Sequence, residues 1–148
     1  MLQNSKIKVF VSVFVVIVAV VYVFYFQYSI HQNKIVPIDL NGHKLHVELV
    51  SSKDKLEKGL GGRADMCSNC GMLFEFQLPG KYSFWMKGMQ FPLDLIWIYQ
   101  KKIVHIEKNI PASYDGMLVP AQDADMVLEI NAGILDQFQV KIGDMIAI

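Results

Sequence analysis

The chain has 148 residues, of which 53% are hydrophobic, and its 14 basic and 14 acidic side chains give a formal net charge of zero. This length allows one domain of ordinary size, and the apolar composition excludes a disordered chain. The absence of a basic excess argues against a nucleic-acid partner, because such proteins neutralise phosphates. Two cysteines are too few for a scaffold held together by disulfides.

Much of the hydrophobicity lies in the first thirty residues. All residues but one from Val9 to Phe26 are apolar or aromatic, and eighteen helical residues span about 27 Å, close to the bilayer core of about 30 Å. Lys6 and Lys8 precede this run, and basic flanks stay in the cytoplasm. The pattern predicts a transmembrane anchor in the lipid bilayer over residues 9–28, after a cytoplasmic N-terminus over residues 1–8. A cleaved signal peptide and a buried core helix are the alternatives.

A β-rich domain is predicted beyond the anchor, outside the cytoplasm. A polar tether over residues 29–34 leads into a domain over residues 35–148. Asn41-Gly42 separates two apolar-patterned runs and predicts a tight hairpin, because both turn positions need a positive φ. A short helix follows, capped by Ser51 or Ser52 and running to about Leu60.

Turn residues then separate several alternating or continuously apolar runs, which predict further strands. These strands cover residues 71–76, 82–87, 93–99, 103–107, 126–131 and 141–148, with one helical turn near residues 133–138. The polar connection over residues 108–125 is long enough to be a binding loop. About eight short strands and one short helix predict a mainly β fold, an antiparallel β-sandwich or barrel.

Cys67 and Cys70 form a C-x-x-C pair. A thiol oxidoreductase presents such a pair at a helix N-terminus, whereas the residues after Cys70 have the pattern of a strand. Zinc needs four ligands, and His43 and His46 cannot complete the set because they lie on opposite faces of their strand. In an oxidising compartment we expect a disulfide that clips the loop. A redox site, metal ligands and free thiols remain as alternatives.

Five side chains are candidates for one ligand-binding pocket. Arg63, the only arginine, follows a glycine-rich turn and can bind a carboxylate or phosphate through two hydrogen bonds. Trp85 and Lys87 share one face of their predicted strand. Asp94 and Glu129 interrupt apolar strands, where an unpaired charge is costly. Alternatively, the two carboxylates form structural ion pairs with the two cations, and the tryptophan belongs to the core.

An ordered series of short motifs resembles a known family. The series runs Gly59-Leu60, Arg63, Gly71-Met72-Leu73-Phe74, Phe84-Trp85-Met86-Lys87, Pro92-Leu93-Asp94 and Val127-Leu128-Glu129. Over residues 37–148 the chain resembles the family known as domain of unknown function 192. The resemblance implies a small, jelly-roll-like β domain, often secreted or membrane-anchored, with no established activity and no catalytic residues to carry over.

Together these patterns predict a membrane-anchored extracytoplasmic β domain that binds a small molecule or an envelope protein. No metal, cofactor or nucleic acid is expected. An enzyme is the alternative, either a thiol-disulfide exchanger through Cys67 and Cys70 or a hydrolase that uses Asp94 or Glu129. A purely structural interaction module is a third possibility.

Overall fold

The computed structural model describes residues 2–31 and 33–148, and in the first helix it describes the side chains of residues 10–24. The chain divides into two compact units, Met1–Asn33 and Lys34–Ile148. The first unit contains the helix α1, Leu2–His31. The second unit contains the β-rich domain.

The predicted membrane anchor is contradicted. Within residues 2–31 and 33–148, no helix combines the length and the apolar character that crossing a membrane requires. Within the predicted anchor, the side chains of residue 9 and of residues 25–28 lie outside the described ones. The finding on the described helices overturns the predicted anchor at residues 9–28. It also overturns the localisation derived from it, with a cytoplasmic N-terminus and an extracytoplasmic C-terminal domain.

The β-rich unit, which is described throughout, contains seven strands and two short helices. The strands are β1 Lys34–Leu40, β2 His43–Val50, β3 Cys70–Gly80, β4 Leu93–Tyr99, β5 Lys102–Ile110, β6 Ala124–Asn131 and β7 Ile146–Ala147. The helices are α2 Lys53–Lys58 and α3 Ile134–Gln137. The predicted mainly β class is therefore confirmed.

All seven strands belong to one sheet, in the order β5-β4-β6-β3-β2-β1-β7. The pair β2–β3 is parallel, and the other pairs are antiparallel. The sheet curls into a half-barrel, and the segment before β7 bonds back to the start of β5, with Ile103 N–H donating to the Asp144 carbonyl at 2.9 Å. The strands thus form one curled sheet instead of the two facing sheets of a sandwich.

The hairpin prediction is confirmed by β1 and β2, which pair from Leu40↔His43 outward. Asn41 and Gly42 have φ values of 52° and 83°, the left-handed geometry that a two-residue hairpin requires. The predicted short helix is present as α2 and follows Ser52, but the Ser52 side chain makes no capping hydrogen bond and the helix ends at Lys58, before Leu60. Among the other predicted strands, the one over residues 93–99 is present with its predicted bounds, and four more are present with shifted ends. The strand β3 extends beyond its predicted end at residue 76 to Gly80.

The predicted strand over residues 82–87 does not form. Its one ladder contact is an isolated bridge between Phe84 and Leu118. The segment crosses above the sheet instead of pairing alongside it, and Trp97 Nε1 donates to the Tyr82 carbonyl at 2.8 Å. The last predicted strand is also shorter, because residues 141–144 form a turn in which Lys141 N–H donates to Asp144 Oδ2 at 2.9 Å.

Both faces of the curled sheet are apolar. Alternate strand residues point to opposite sides, and apolar residues occupy both sets of positions. The first face carries Leu73, Ile96, Leu128 and Ile130 and packs against α3. The second face carries Met72, Phe74, Leu95, Trp97 and Val127. In β4, every residue from Leu93 to Ile98 is buried, as predicted for a strand covered on both sides. Leu60, Met86 and Leu118 cover the second face, where Glu129 also lies.

Candidate functional site

A cavity of about 200 Å³ opens on the second face of the sheet, between α2 and the segment 82–89. Its lining combines aromatic rings with charged groups. The aromatic members are Phe74, Phe76, Tyr82, Phe84 and Trp85, and the charged members are Lys53, Glu57, Lys58, Lys87 and Glu129. A concave site of this kind, apolar with a few polar groups, is the usual setting of a ligand site.

The aromatic wall is held by ring contacts. Phe76 stacks on Tyr82 with ring centroids 3.5 Å apart. Phe84 meets Phe74 edge to face at 4.9 Å, and it meets the buried Trp97 in the same way at 5.9 Å. Trp85 is not part of this packed set, since 51% of its surface is exposed. The cavity therefore has a fixed wall of packed rings and one indole that a ligand can still cover.

Glu129 supplies the buried polar group of the cavity. In β6 it pairs with Met72 of β3 on one side and with Leu95 of β4 on the other, so its strand neighbours are apolar. The residue is 5% exposed, and within the described part of the chain its Oε2 atom has no hydrogen-bond partner. Burial raises the pKa of this carboxyl to about 8, and the nearby charge of Arg63 acts in the opposite direction. At pH 7 the carboxyl is therefore mostly neutral and can donate a hydrogen bond.

Arg63 lies beside the cavity without lining it. Its guanidinium binds Glu48 through two hydrogen bonds, with Nη1–Oε1 and Nη2–Oε2 distances of 2.5 and 2.8 Å. Glu48 of β2 is in register with Met72 of β3, which is in register with Glu129. The two glutamates therefore lie on the same face with one strand between them. The hydrogen bonds to Glu48 raise the pKa of Arg63, which carries its positive charge at every physiological pH.

Asp94 lies on the opposite face of the sheet. It is fully buried, and its two oxygens accept hydrogen bonds from the backbone N–H groups of Asn109 at 2.7 Å and Leu135 at 2.9 Å. This carboxylate connects β4 to the end of β5 and to α3. It forms neither of the ion pairs considered from the sequence.

The five predicted ligand-binding residues thus occupy three places. Trp85, Lys87 and Glu129 line one cavity, Arg63 flanks it, and Asp94 lies across the sheet. Trp85 is too exposed to be a core residue. Sequence reasoning missed the contribution of α2, whose Lys53 and Glu57 are four residues apart and therefore share a helix face. It also missed Glu48, because nothing in the sequence around this acid points to its contact with Arg63.

The cysteine pair lies near the start of β3. A disulfide joins Cys67 and Cys70, with their Cα atoms 5.2 Å apart. Cys70 is the first residue of the strand, so no helix begins here. Among the described residues, no group of three or more His, Cys, Asp or Glu side chains is placed to hold a metal ion.

The model of one protein family matches residues 36–148, which include the sheet, the cavity and the disulfide. The family is domain of unknown function 192, described as an uncharacterized ACR. The chain belongs to this family. The resemblance found in the motif series is therefore confirmed for the β-rich unit.

Two solved structures are similar to this chain in sequence and fold. A protein of unknown function from Novosphingobium aromaticivorans DSM 12444 is 29% identical, with a TM-score of 0.73, over 77% of this chain and 85% of its own. A protein from Sinorhizobium meliloti 1021, provisionally described as a transcription regulator, is 29% identical, with a TM-score of 0.73, over 78% and 94%. None of the curated proteins compared with the chain matches it.

The pKa of Glu129 is expected to respond in opposite directions to two substitutions in the pair beside it. Arg63→Met removes a positive charge that lowers this pKa, so the titration of Glu129 shifts to higher pH. Glu48→Gln removes the partner anion that offsets Arg63, so the titration shifts to lower pH. Side-chain carbonyl chemical shifts, followed by NMR against pH, measure both effects. Shifts in the same direction would contradict this electrostatic account.

Proposed function

We propose that this domain binds a small organic acid with an apolar or aromatic body in the cavity beside Glu129. The observation that carries the proposal is the Oε2 atom of Glu129, a buried oxygen at the cavity wall without a partner among the described residues. A buried polar atom left unpaired costs free energy. A ligand that accepts a hydrogen bond from the neutral carboxyl would recover that cost.

The charges around the cavity favour an anion. Lys53, Lys58 and Lys87 line it, whereas Glu57 is the one lining acid besides Glu129. With Glu129 neutral, three lysines and one glutamate give the lining a formal net charge of +2. A positively charged cleft with apolar walls attracts anionic ligands and raises their association rate.

The aromatic wall favours an apolar body on the ligand. Trp85 lines the cavity and keeps half of its surface exposed, and covering an indole stabilises a complex through its apolar area. A volume of about 200 Å³ is small for a ligand pocket. A compact carboxylic acid with one or two rings matches this volume better than a peptide.

The proposal is tested by titrating 2-naphthoate into the full-length protein at pH 6.5, with binding followed by amide NMR shifts and calorimetry. We expect saturable binding of 2-naphthoate and a lower affinity for 2-naphthamide, the uncharged analogue. Lys87→Met should weaken the binding of 2-naphthoate by about fivefold, roughly 1 kcal/mol. Lys55→Met is the control, because Lys55 lies on α2 and does not line the cavity. Equal binding of the acid and the amide, or none of either, would overturn the proposal.

The pH dependence provides a second test. Because the pKa of Glu129 is raised to about 8, its ionisation above pH 8 replaces a donor with a negative charge that repels the ligand. The affinity for 2-naphthoate should fall about tenfold between pH 6.5 and pH 9. Glu129→Gln keeps a neutral donor at every pH, so its affinity should stay nearly constant. A parallel fall in both proteins would contradict the role of Glu129.

A further inference from the structure

We propose that the disulfide between Cys67 and Cys70 is a thiol–disulfide exchange site, in which a partner dithiol attacks Cys67 and His46 assists the departure of Cys70. The proposal is independent of the cavity. It begins from the exposure of the pair, since Cys67 is exposed and Cys70 is half-buried. An incoming thiolate can therefore reach the Cys67 sulfur, and exchange requires that access.

The loop that carries the disulfide is held by hydrogen bonds that do not involve sulfur. Asn131 Nδ2 donates to the Cys67 carbonyl at 3.0 Å. The Cys70 N–H donates to the Cys67 carbonyl at 3.1 Å, and the His46 N–H donates to the Asn69 carbonyl at 2.9 Å. A cross-link between residues three apart closes a short loop, which gains little from it. The bond is thus poorly explained as a clip, and a reversible role fits it better.

His46 is the titratable neighbour of Cys70. The two residues are partners in the parallel pair β2–β3, so their side chains lie on the same face about 5 Å apart. The imidazole is exposed, and its Nδ1 atom is 3.5 Å from Asn69 Nδ2. No helix N-terminus is present to stabilise a thiolate at this site. A histidine beside the leaving sulfur provides that stabilisation, because imidazole can protonate the thiolate or pair with it.

The exchange balances in two steps. First, a thiolate of the partner dithiol attacks Cys67 Sγ, the Cys67–Cys70 bond breaks, and Cys70 leaves as a thiolate that takes up a proton. Second, the other thiol of the partner loses its proton and attacks the partner sulfur of this mixed disulfide, and Cys67 leaves as a thiolate that takes up a proton. The Cys67–Cys70 pair gains two electrons and two protons, and the partner dithiol becomes a disulfide. The reverse sequence oxidises the pair at the expense of a partner disulfide.

The decisive experiment measures the rate at which dithiothreitol reduces the disulfide in the full-length protein. The reference is the oxidised peptide of residues 64–71, which has the same two cysteines without His46 and Asn131. We expect reduction about tenfold faster in the protein, because leaving-group stabilisation accelerates exchange, and a loss of that advantage in His46→Gln. A rate equal to that of the peptide, or one that His46→Gln leaves unchanged, would overturn the proposal.

Two further measurements locate the attacked sulfur and check the fold. In Cys70→Ser, glutathione disulfide should form a mixed disulfide at Cys67 faster than it forms one at Cys70 in Cys67→Ser, as mass spectrometry reads out. The reduced wild-type protein should keep its near-UV circular dichroism and regain the disulfide on oxidation. Faster reaction at Cys70 would reject Cys67 as the attacked sulfur, and loss of tertiary structure on reduction would support a structural clip; either result overturns the proposal.

Discussion

Glu129→Gln is expected to stabilise the folded protein at pH 9 by about 3 to 5 kcal/mol and to change its stability by less than about 1 kcal/mol at pH 5. Burial raises the pKa of Glu129 from 4.5 to about 8. Between these two values the folded state holds a proton that the unfolded state has released. The free energy of unfolding therefore falls as pH rises through this window and levels off above pH 8. Glutamine carries no charge to desolvate, so the variant lacks that loss.

Urea unfolding of the wild type and the variant at several pH values measures the difference, and other titrating groups cancel in the comparison. Glu57→Gln is the matched control, because Glu57 lines the same cavity and its side chain is exposed. We expect no comparable pH-dependent gain from this control. If the free energies of unfolding of Glu129→Gln and the wild type differ by the same amount from pH 5 to pH 9, the pKa of the Glu129 carboxyl is not raised and the prediction is wrong.

Asp94→Ala is expected to lower the free energy of unfolding by about 3 to 5 kcal/mol, because each buried donor left without its acceptor costs about 1 to 3 kcal/mol. The carboxylate is fully buried and accepts from the backbone of Asn109 and Leu135. Removing it leaves two N–H groups without an acceptor and a void between β4 and α3. Asp94→Asn should fall in between, since an amide retains one acceptor oxygen.

Denaturant unfolding with an unchanged m value would attribute this loss to the native state. Asp136→Ala is the control, since Asp136 also lies in α3 but its side chain is 60% exposed and pairs with Lys108 on the surface. A much smaller effect is expected, because surface ion pairs contribute little. The cavity lies on the other face, so a folded Asp94→Ala protein should still bind 2-naphthoate. Loss of binding without loss of stability would place Asp94 in the ligand site instead.

Local patterns explain the parts of the fold that could be predicted. Alternation and apolar runs identified the stretches that became β1 to β6, because strand side chains have a period of two. Asn41-Gly42 identified the hairpin, since few other dipeptides accept its two positive φ values. The apolar N-terminal run predicted a helix, and α1 is helical, whereas the membrane crossing inferred from it is contradicted. Residues 82–87 have the pattern of a strand and instead cross above the sheet.

The candidate site could be predicted only in part. Trp85, Lys87 and Glu129 stood out as charged or aromatic residues in unusual positions, and they line one cavity. The pairing of Arg63 with Glu48 had no sequence signal, because Arg63 lies in the loop between α2 and β3, and only the folding of that loop brings it to β2. Asp94 and Glu129 looked alike as acids in apolar strands, yet their environments differ completely.

The sequence by itself determined the β-rich class, the hairpin and the family, because each depends on residues close together in the chain or on an ordered series of motifs. Only the tertiary structure decided that Glu129 Oε2 is buried at a cavity without a hydrogen-bond partner among the described residues, while Asp94 accepts two backbone hydrogen bonds. Strand register and the crossing of loops over the sheet bring distant groups together, and burial at the cavity raises the pKa of Glu129. Neither register nor burial depth is encoded in the immediate neighbours of a residue.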